Sequence, residues 1–222
     1  TSLNQSQQKG MEEAFETDSA FPANASDGTE VQGGSVAVNP KTGGVTAVVG
    51  GRGTHIFRGY NRATHIERQP GSTMQPLAVY TPALQNGYHY DSSLTDKKLS
   101  YGSNKYTPTD YGNVYYGKVP MYTALAKSLN APAVWLLDQI GVQKGVQSVK
   151  NFGINLPKSD QNLALALGGL KVGVSPYQMA SAYTAFANNG KRTSTHFIRK
   201  IEDASGNIIV DNTKVKTKKV MS

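Results

Sequence analysis

The 222-residue chain contains no cysteine. A thiolate nucleophile, a thiolate metal site and a disulfide framework are therefore excluded, while the redox compartment stays open. No stretch approaches the ~18 apolar residues that span a bilayer, and no signal-peptide pattern is present. Any membrane anchor is expected in segments outside this chain. The four histidines, His55, His65, His89 and His196, are scattered without ligand spacing. No metal site and no cofactor are expected from them. Between Glu67 and Glu202 the sequence has no glutamate at all, which matters below.

What is present is polar and turn-rich. Hydrophobic residues make up 38%, with 23 glycines and 12 tyrosines, and mean hydropathy is -0.43. That composition suits a loop-rich groove better than a compact helical bundle. A net charge of +8 admits nucleic acid, anionic lipid or anionic wall polymer as partners. The basic residues are dispersed except for Lys214, Lys216, Lys218 and Lys219, which read as a solvated end. With no groove-reading motif, nucleic acid is not an expected partner. Tyr101, Tyr106, Tyr111, Tyr115 and Tyr116 offer stacking faces, but lining a cleft or plain packing accounts for them as well.

Along the chain, residues 1–15 hold good helix formers, and 17–34 is loop-like, with Pro22, Gly28 and the pair Gly33-Gly34. Two β-rich runs, 35–38 and 45–49, flank a Pro/Gly turn and read as a hairpin. A second hairpin is expected over 197–210, around Asp203-Ala204-Ser205-Gly206. Helices are expected at 72–84, 121–127, 133–140 and 176–188. In the first, Met74, Leu77, Ala78 and Leu84 should form the buried face, packed on the first hairpin. Residues 91–118 read as loop. The fold class is α/β of the α+β type, an antiparallel sheet packed with helices.

Two segments carry candidate chemistry. In Arg68-Gln69-Pro70-Gly71-Ser72-Thr73-Met74-Gln75-Pro76, a Pro-Gly turn leads into a helix that Ser72 opens. A hydroxyl there either caps the helix by accepting a first-turn N–H or attacks a carbonyl, with helix N–H groups steadying the developing anion. Fifty-six residues later comes Ser128-Leu129-Asn130, between two helices. Ser and Asn two apart in such a loop can face one cleft, the hydroxyl relaying a proton and the amide holding a carbonyl. They can equally be an ordinary polar helix end.

The chain resembles the transpeptidase domain of class A penicillin-binding proteins. The resemblance rests on the segment around Ser72, on Ala124-Leu125-Ala126-Lys127-Ser128-Leu129-Asn130-Ala131-Pro132-Ala133-Val134, on Leu165-Ala166-Leu167-Gly168-Gly169, and on Gly173-Val174-Ser175-Pro176 through Ala187-Asn188-Asn189-Gly190. Thr1-Ser2-Leu3-Asn4 looks like the segment that joins the glycosyltransferase and transpeptidase domains. The resemblance implies a penicillin-binding protein/β-lactamase-like fold, with residues 1–34 as interdomain arm and 35–222 as the incomplete N-terminal portion of the transpeptidase domain. It implies a serine acyltransferase in which Ser72 attacks the D-Ala-D-Ala carbonyl of a peptidoglycan stem peptide. Position 75 would hold the base, Ser128 would relay a proton and Asn130 would bind the donor amide. β-Lactams would trap Ser72, and the domain would face the outside of the bacterial membrane. Ser72, Ser128 and Asn130 should then converge on one cleft.

Three departures bear on activity. The motif Ser72-Thr73-Met74-Gln75 carries Gln75 where the family has lysine. The chain's one Lys-Thr-Gly, Lys41-Thr42-Gly43, precedes the nucleophile and reads as turn chemistry. The family's copy, on an active-site strand, is expected beyond Ser222. Finally, the glutamate-free stretch and Leu129 at the middle of the second motif favour a transpeptidase over a class A β-lactamase, which uses a glutamate to activate water. These departures suggest an inactive chain, and they leave open a non-catalytic member of the fold that binds wall peptide or a division partner.

Overall fold

A computed structural model describes residues 1–54 and 56–221; His55 and Ser222 lie outside the described residues. In chain order its elements are α1 (Gln5–Glu16), β1 (Ser35–Val38), β2 (Val45–Val49), α2 (Arg62–His65), a helical run over 71–85 that ends in α3 (Thr81–Gln85), and β3 (Ser93–Asp96). There follow β4 (Gly117–Pro120), α4 (Met121–Ala126), α5 (Asn130–Ile140), α6 (Val142–Asn151), α7 (Pro176–Tyr183), β5 (Lys191–Thr193), β6 (Lys200–Glu202), β7 (Ile208–Asp211) and β8 (Thr217–Lys219). All the named strand pairs are antiparallel: β1 with β2, β3 with β4, β5 with β8, and β6 with β7. Two compact units result, Thr1–Glu67 with Val174–Val220, and Arg68–Gly173.

In the first unit, α1 starts where Asn4 Oδ1 accepts the N–H of Gln7 at 3.0 Å. It attaches to the edge of β2 through one side chain: Gln8 donates to the Val48 carbonyl at 2.9 Å and accepts the Val48 N–H at 2.8 Å. β1 and β2 form the expected hairpin, with Val45, Ala47 and Val49 buried on one face. α7 begins with a capping box between Ser175 and Gln178. The second expected hairpin is present as β6 and β7. The tail, read as a solvated end, instead pairs as β8 with β5; its charged side chains stay exposed while its backbone supplies the ladder.

The second unit is built around the run over 71–85. Gly71–Met74 is a tight 3₁₀ turn, Pro76–Tyr80 a π turn, and α3 completes the run. Pro82 accounts for this sequence of turns. In the π register Thr81 N–H bonds to the Pro76 carbonyl, and the next carbonyl, Leu77, would look to Pro82, which has no N–H. Ser148 of α6 supplies the missing donor, its Oγ bonding to the Leu77 carbonyl at 2.6 Å. Gly145, one turn earlier in α6, lets the helices close up: a Cβ there would lie 2.7 Å from the Ala78 carbonyl oxygen. The π turn also shifts the buried face. Met74, Leu77 and Ala78 are buried as expected, but Leu84 is 48% exposed. Each residue turns a helix by ~100°, and a π turn spends more residues per turn. After it, Thr81, Pro82 and Ala83 face inward instead. Within its own unit this run packs on α5, α6 and the 3₁₀ segment Leu163–Leu167.

Three elements of this unit were not expected from the sequence. β3 and β4 pair inside the segment read as loop, and α6 follows Gly141 where no helix was expected.

Candidate active site

Ser72 sits on the exposed outer side of the 3₁₀ turn that opens the helical run, while Met74 and Gln75 point into the core. Thr73 Oγ1 closes the turn by donating to the Pro70 carbonyl at 2.6 Å. The turn is braced from outside by the Leu165-Ala166-Leu167-Gly168-Gly169 segment. Gly168, at φ 64°, passes so near that a Cβ would meet the Gly71 carbonyl oxygen at 2.2 Å. Gln69 Nε2 donates to the Leu170 carbonyl at 3.1 Å, and Gly173 lies against the Arg68 backbone. Gly168 and Gly173 are thus explained by backbone-to-backbone contact with the stretch of chain leading into Ser72.

Gln75 is 1% exposed, and its Nε2 has no hydrogen-bond partner among the described residues. An unsatisfied buried amide costs about 1–3 kcal/mol. It lies one turn after Ser72 and, as a carboxamide, stays neutral and cannot take up the proton of a serine.

Ser128 is exposed and holds φ at 52°. It terminates α4 in a Schellman arrangement: Ser128 N–H bonds to the Leu125 carbonyl and Leu129 N–H to the Ala124 carbonyl, both at 3.0 Å. Glycine normally fills this left-handed position, so a serine here carries backbone strain. Leu129 is buried as the accompanying apolar contact.

Asn130 is the first residue of α5. Its Nδ2 donates to the Thr109 carbonyl at 2.8 Å, leaving Oδ1 without a partner among the described residues. Leu129, at the N-cap, has no side chain able to cap. Asp110 does so from 20 residues away: its Oδ1 accepts the N–H of Asn130 and of Ala131, each at 2.7 Å. Asp96 of β3 is fully buried beside it and accepts the Tyr116 N–H at 2.7 Å. Neither aspartate was singled out in the sequence; Asp110-Tyr111-Gly112 looks like any turn, and only folding sets it under α5.

Ser72, Gln75, Ser128 and Asn130 all fall within Arg68–Gly173, and the π turn after Ser72 packs on α5, which Asn130 opens. No hydrogen bond joins any two of the four among the described residues. Lys41-Thr42-Gly43 belongs to the other unit and forms the β1–β2 turn, with Lys41 exposed. Among the described residues, no group of three or more His, Asp or Glu is placed to hold a metal ion, and no helix is long and apolar enough to cross a membrane.

Similarity to known proteins runs along nearly the whole chain. Residues 33–222 match the family model described as the penicillin binding protein transpeptidase domain. Penicillin-binding protein 2a of Streptococcus pneumoniae is 44% identical over 216 residues, covering 96% of this chain and 29% of that protein. Penicillin-binding protein 1F of Bacillus subtilis is 49% identical over 192 residues, 86% of this chain and 26% of that protein. The chain therefore spans less than a third of the curated relatives it matches. Among solved structures, penicillin-binding protein 1A from Haemophilus influenzae superposes with a TM-score of 0.72 at 27% identity, over 85% of this chain and 29% of that one. PonA1 from Mycobacterium tuberculosis in complex with penicillin V gives a TM-score of 0.79 at 22% identity, over 100% of this chain and 58% of that one. The fold is the penicillin-binding protein/β-lactamase-like fold expected from the motifs. With so much of its length matched by one family model, and with relatives this similar, the chain belongs to the penicillin-binding protein transpeptidase family.

Proposed function

We propose that this chain is the N-terminal portion, residues 35–222, of a serine D,D-transpeptidase domain that cross-links peptidoglycan, joined through residues 1–34 to a preceding domain. The observation that carries the reading is the Ser72 turn: a hydroxyl exposed at the start of a helical run whose next residues, Met74 and Gln75, are buried. A nucleophile needs access for the substrate and a rigid mount, and this turn supplies both. In the proposed reaction Ser72 Oγ attacks the carbonyl between the two terminal D-alanines of a stem peptide. The C–N bond breaks, the leaving D-alanine takes up a proton, and an acyl-enzyme remains. The amine of a neighbouring peptide then displaces Ser72 and completes the cross-link. Asn130 Oδ1 accepts the donor's amide N–H, and the Ser128 hydroxyl relays protons to the leaving amine, with all three side chains on one cleft. β-Lactams enter the same cleft and acylate Ser72. The partners are thus stem peptides and β-lactams, met on the outer face of the membrane to which segments outside this chain would tether it.

Gln75 favours a second reading for this chain, a catalytically dead member that binds wall peptide or division partners. A lysine buried at position 75 would have its amine pushed toward the neutral form by desolvation and could accept the Ser72 proton. Gln75 cannot, and loss of general-base help costs about 10²- to 10⁴-fold. The test is mass spectrometry after incubation with benzylpenicillin. Four proteins are compared: this chain and one extended through a later Lys-Thr-Gly strand, each with Gln or Lys at 75. Little acylation is expected of this chain in either form, and rapid acylation of the extended Gln75→Lys protein. Rapid stoichiometric acylation of the unaltered chain would overturn the role given to position 75. No acylation of any of the four would favour the binding module.

A further inference from the structure

We propose that Asp96 and Asp110 hold one proton between them, and that this shared proton locks the first turn of α5, making Asp110 the positioning residue for Asn130. Four observations meet here. Both carboxyl groups are buried, Asp96 at 0% and Asp110 at 4% exposure. One oxygen of each is fully used, Asp110 Oδ1 by the N–H of Asn130 and Ala131 and Asp96 Oδ2 by the N–H of Tyr116. The other oxygen of each, Asp96 Oδ1 and Asp110 Oδ2, is buried with no donor among the described residues. Yet the two side chains are close enough to act on one another by hydrogen bonding and by charge. Two buried carboxyl groups that act on one another, each with one oxygen left over, suit a carboxyl–carboxylate pair sharing one hydrogen. Two ionised carboxylates in that position would repel without water or a cation to screen them.

Neither aspartate joins an ion pair among the described residues. On its own strand Asp96 is followed by the exposed Lys97 and Lys98; on β4, Lys118 lies opposite Thr95 and is also exposed. α4 contributes the exposed Tyr122, with the exposed Lys127 at its end lying over the Tyr116 ring at 4.6 Å, and α5 only the exposed Asp138. From the helical run Tyr80 presents a buried hydroxyl that feels the charge of Asp110, and Tyr115 lies next to Tyr116; neither hydroxyl has a hydrogen-bond partner among the described residues. Burial pushes the Asp96 carboxyl up to about 6, and Asp110 pushes it the same way, against the Tyr116 N–H. The proton therefore stays through mildly acidic pH. Because the folded value lies above the ordinary 3.8, its contribution to stability is complete below about 4 and is lost as pH rises through about 6.

The relevance to catalysis rests on reading Asn130 as a substrate ligand; the shared proton does not. The experiment is ¹H–¹⁵N NMR of the 222-residue chain from pH 4 to 8, following the amides of Tyr116, Asn130 and Ala131. These three report on both carboxyl groups and should move with one common midpoint, since coupled sites titrate as a pair. In Asp110→Asn the amide oxygen still accepts from α5 and the amide N–H₂ can donate to Asp96. The common midpoint should vanish, and the fall in Tm between pH 5 and pH 8 that the unaltered chain shows should shrink. Asp96→Asn should remove the same titration from Asn130 and Ala131. Separate midpoints, no titration between pH 4 and 8, or survival of the midpoint in Asp110→Asn would each overturn the proposal. Asp110→Asn decides alone if Asp96→Asn does not fold. None of these readouts requires Ser72 to react, so a chain that never acylates still tests the pair.

Discussion

The turn over 39–44 and the turn over 127–131 each carry a three-residue motif of the family's vocabulary, and they are built on opposite principles. The first, between β1 and β2, satisfies itself. Asn39 Oδ1 accepts the N–H of Lys41 and of Thr42, at 2.9 and 3.1 Å, and Asn39 exchanges backbone bonds with Gly43 and Gly44. Its left-handed position, φ 78°, is filled by Gly43. The second turn puts a serine, Ser128, at φ 52° and leaves its following helix to be capped by Asp110, 20 residues away. A turn that only has to reverse the chain uses local bonds and glycine. One that spends strain and a buried carboxylate to present Ser128 and Asn130 is the place to look for function. By this criterion the Lys-Thr-Gly of the first turn is built as structure, and the proposed site role falls to the Ser-Leu-Asn of the second.

The comparison can be broken by substitution, and the largest effect is expected in the turn that looks the more ordinary. Gly43→Ala would force a Cβ to within 2.0 Å of the Ser194 carbonyl oxygen while keeping a left-handed φ. We expect a loss of about 2–4 kcal/mol from strain and overpacking together, read as a drop in Tm or in the denaturant midpoint. A loss under about half a kcal/mol would show that the turn is far looser than its bonds suggest. The sign should reverse in the second turn. Ser128→Gly relieves a left-handed serine at some cost in unfolded-state entropy, so the chain should gain about 0.5–1 kcal/mol. The same change should weaken whatever activity an extended, lysine-bearing protein shows. Destabilisation by Ser128→Gly would mean that the hydroxyl holds the fold rather than the chemistry. The smallest effect is reserved for Lys41→Ala: its side chain is exposed, and a change within about half a kcal/mol is expected. A large effect on penicillin acylation from this substitution would return Lys41-Thr42-Gly43 to the active site.

The amino-acid sequence alone was enough for whatever is settled within a few residues. Proline and glycine placed the β1–β2 turn, Pro176 placed the start of α7, and the Ser72 and Ser128 segments disclosed the family, because local bonding and steric rules act over that range. β3, β4 and β8 were not legible, since a short polar strand exists only once its partner arrives and supplies the ladder. The exposure of Leu84 followed from one proline acting through a π turn, which a fixed helical period cannot foresee. Asp96 and Asp110 looked like loop aspartates. Tertiary structure alone buried them together under α5, because the N–H groups left open at a helix start donate to any carboxylate that folding brings within reach, whatever its distance along the chain.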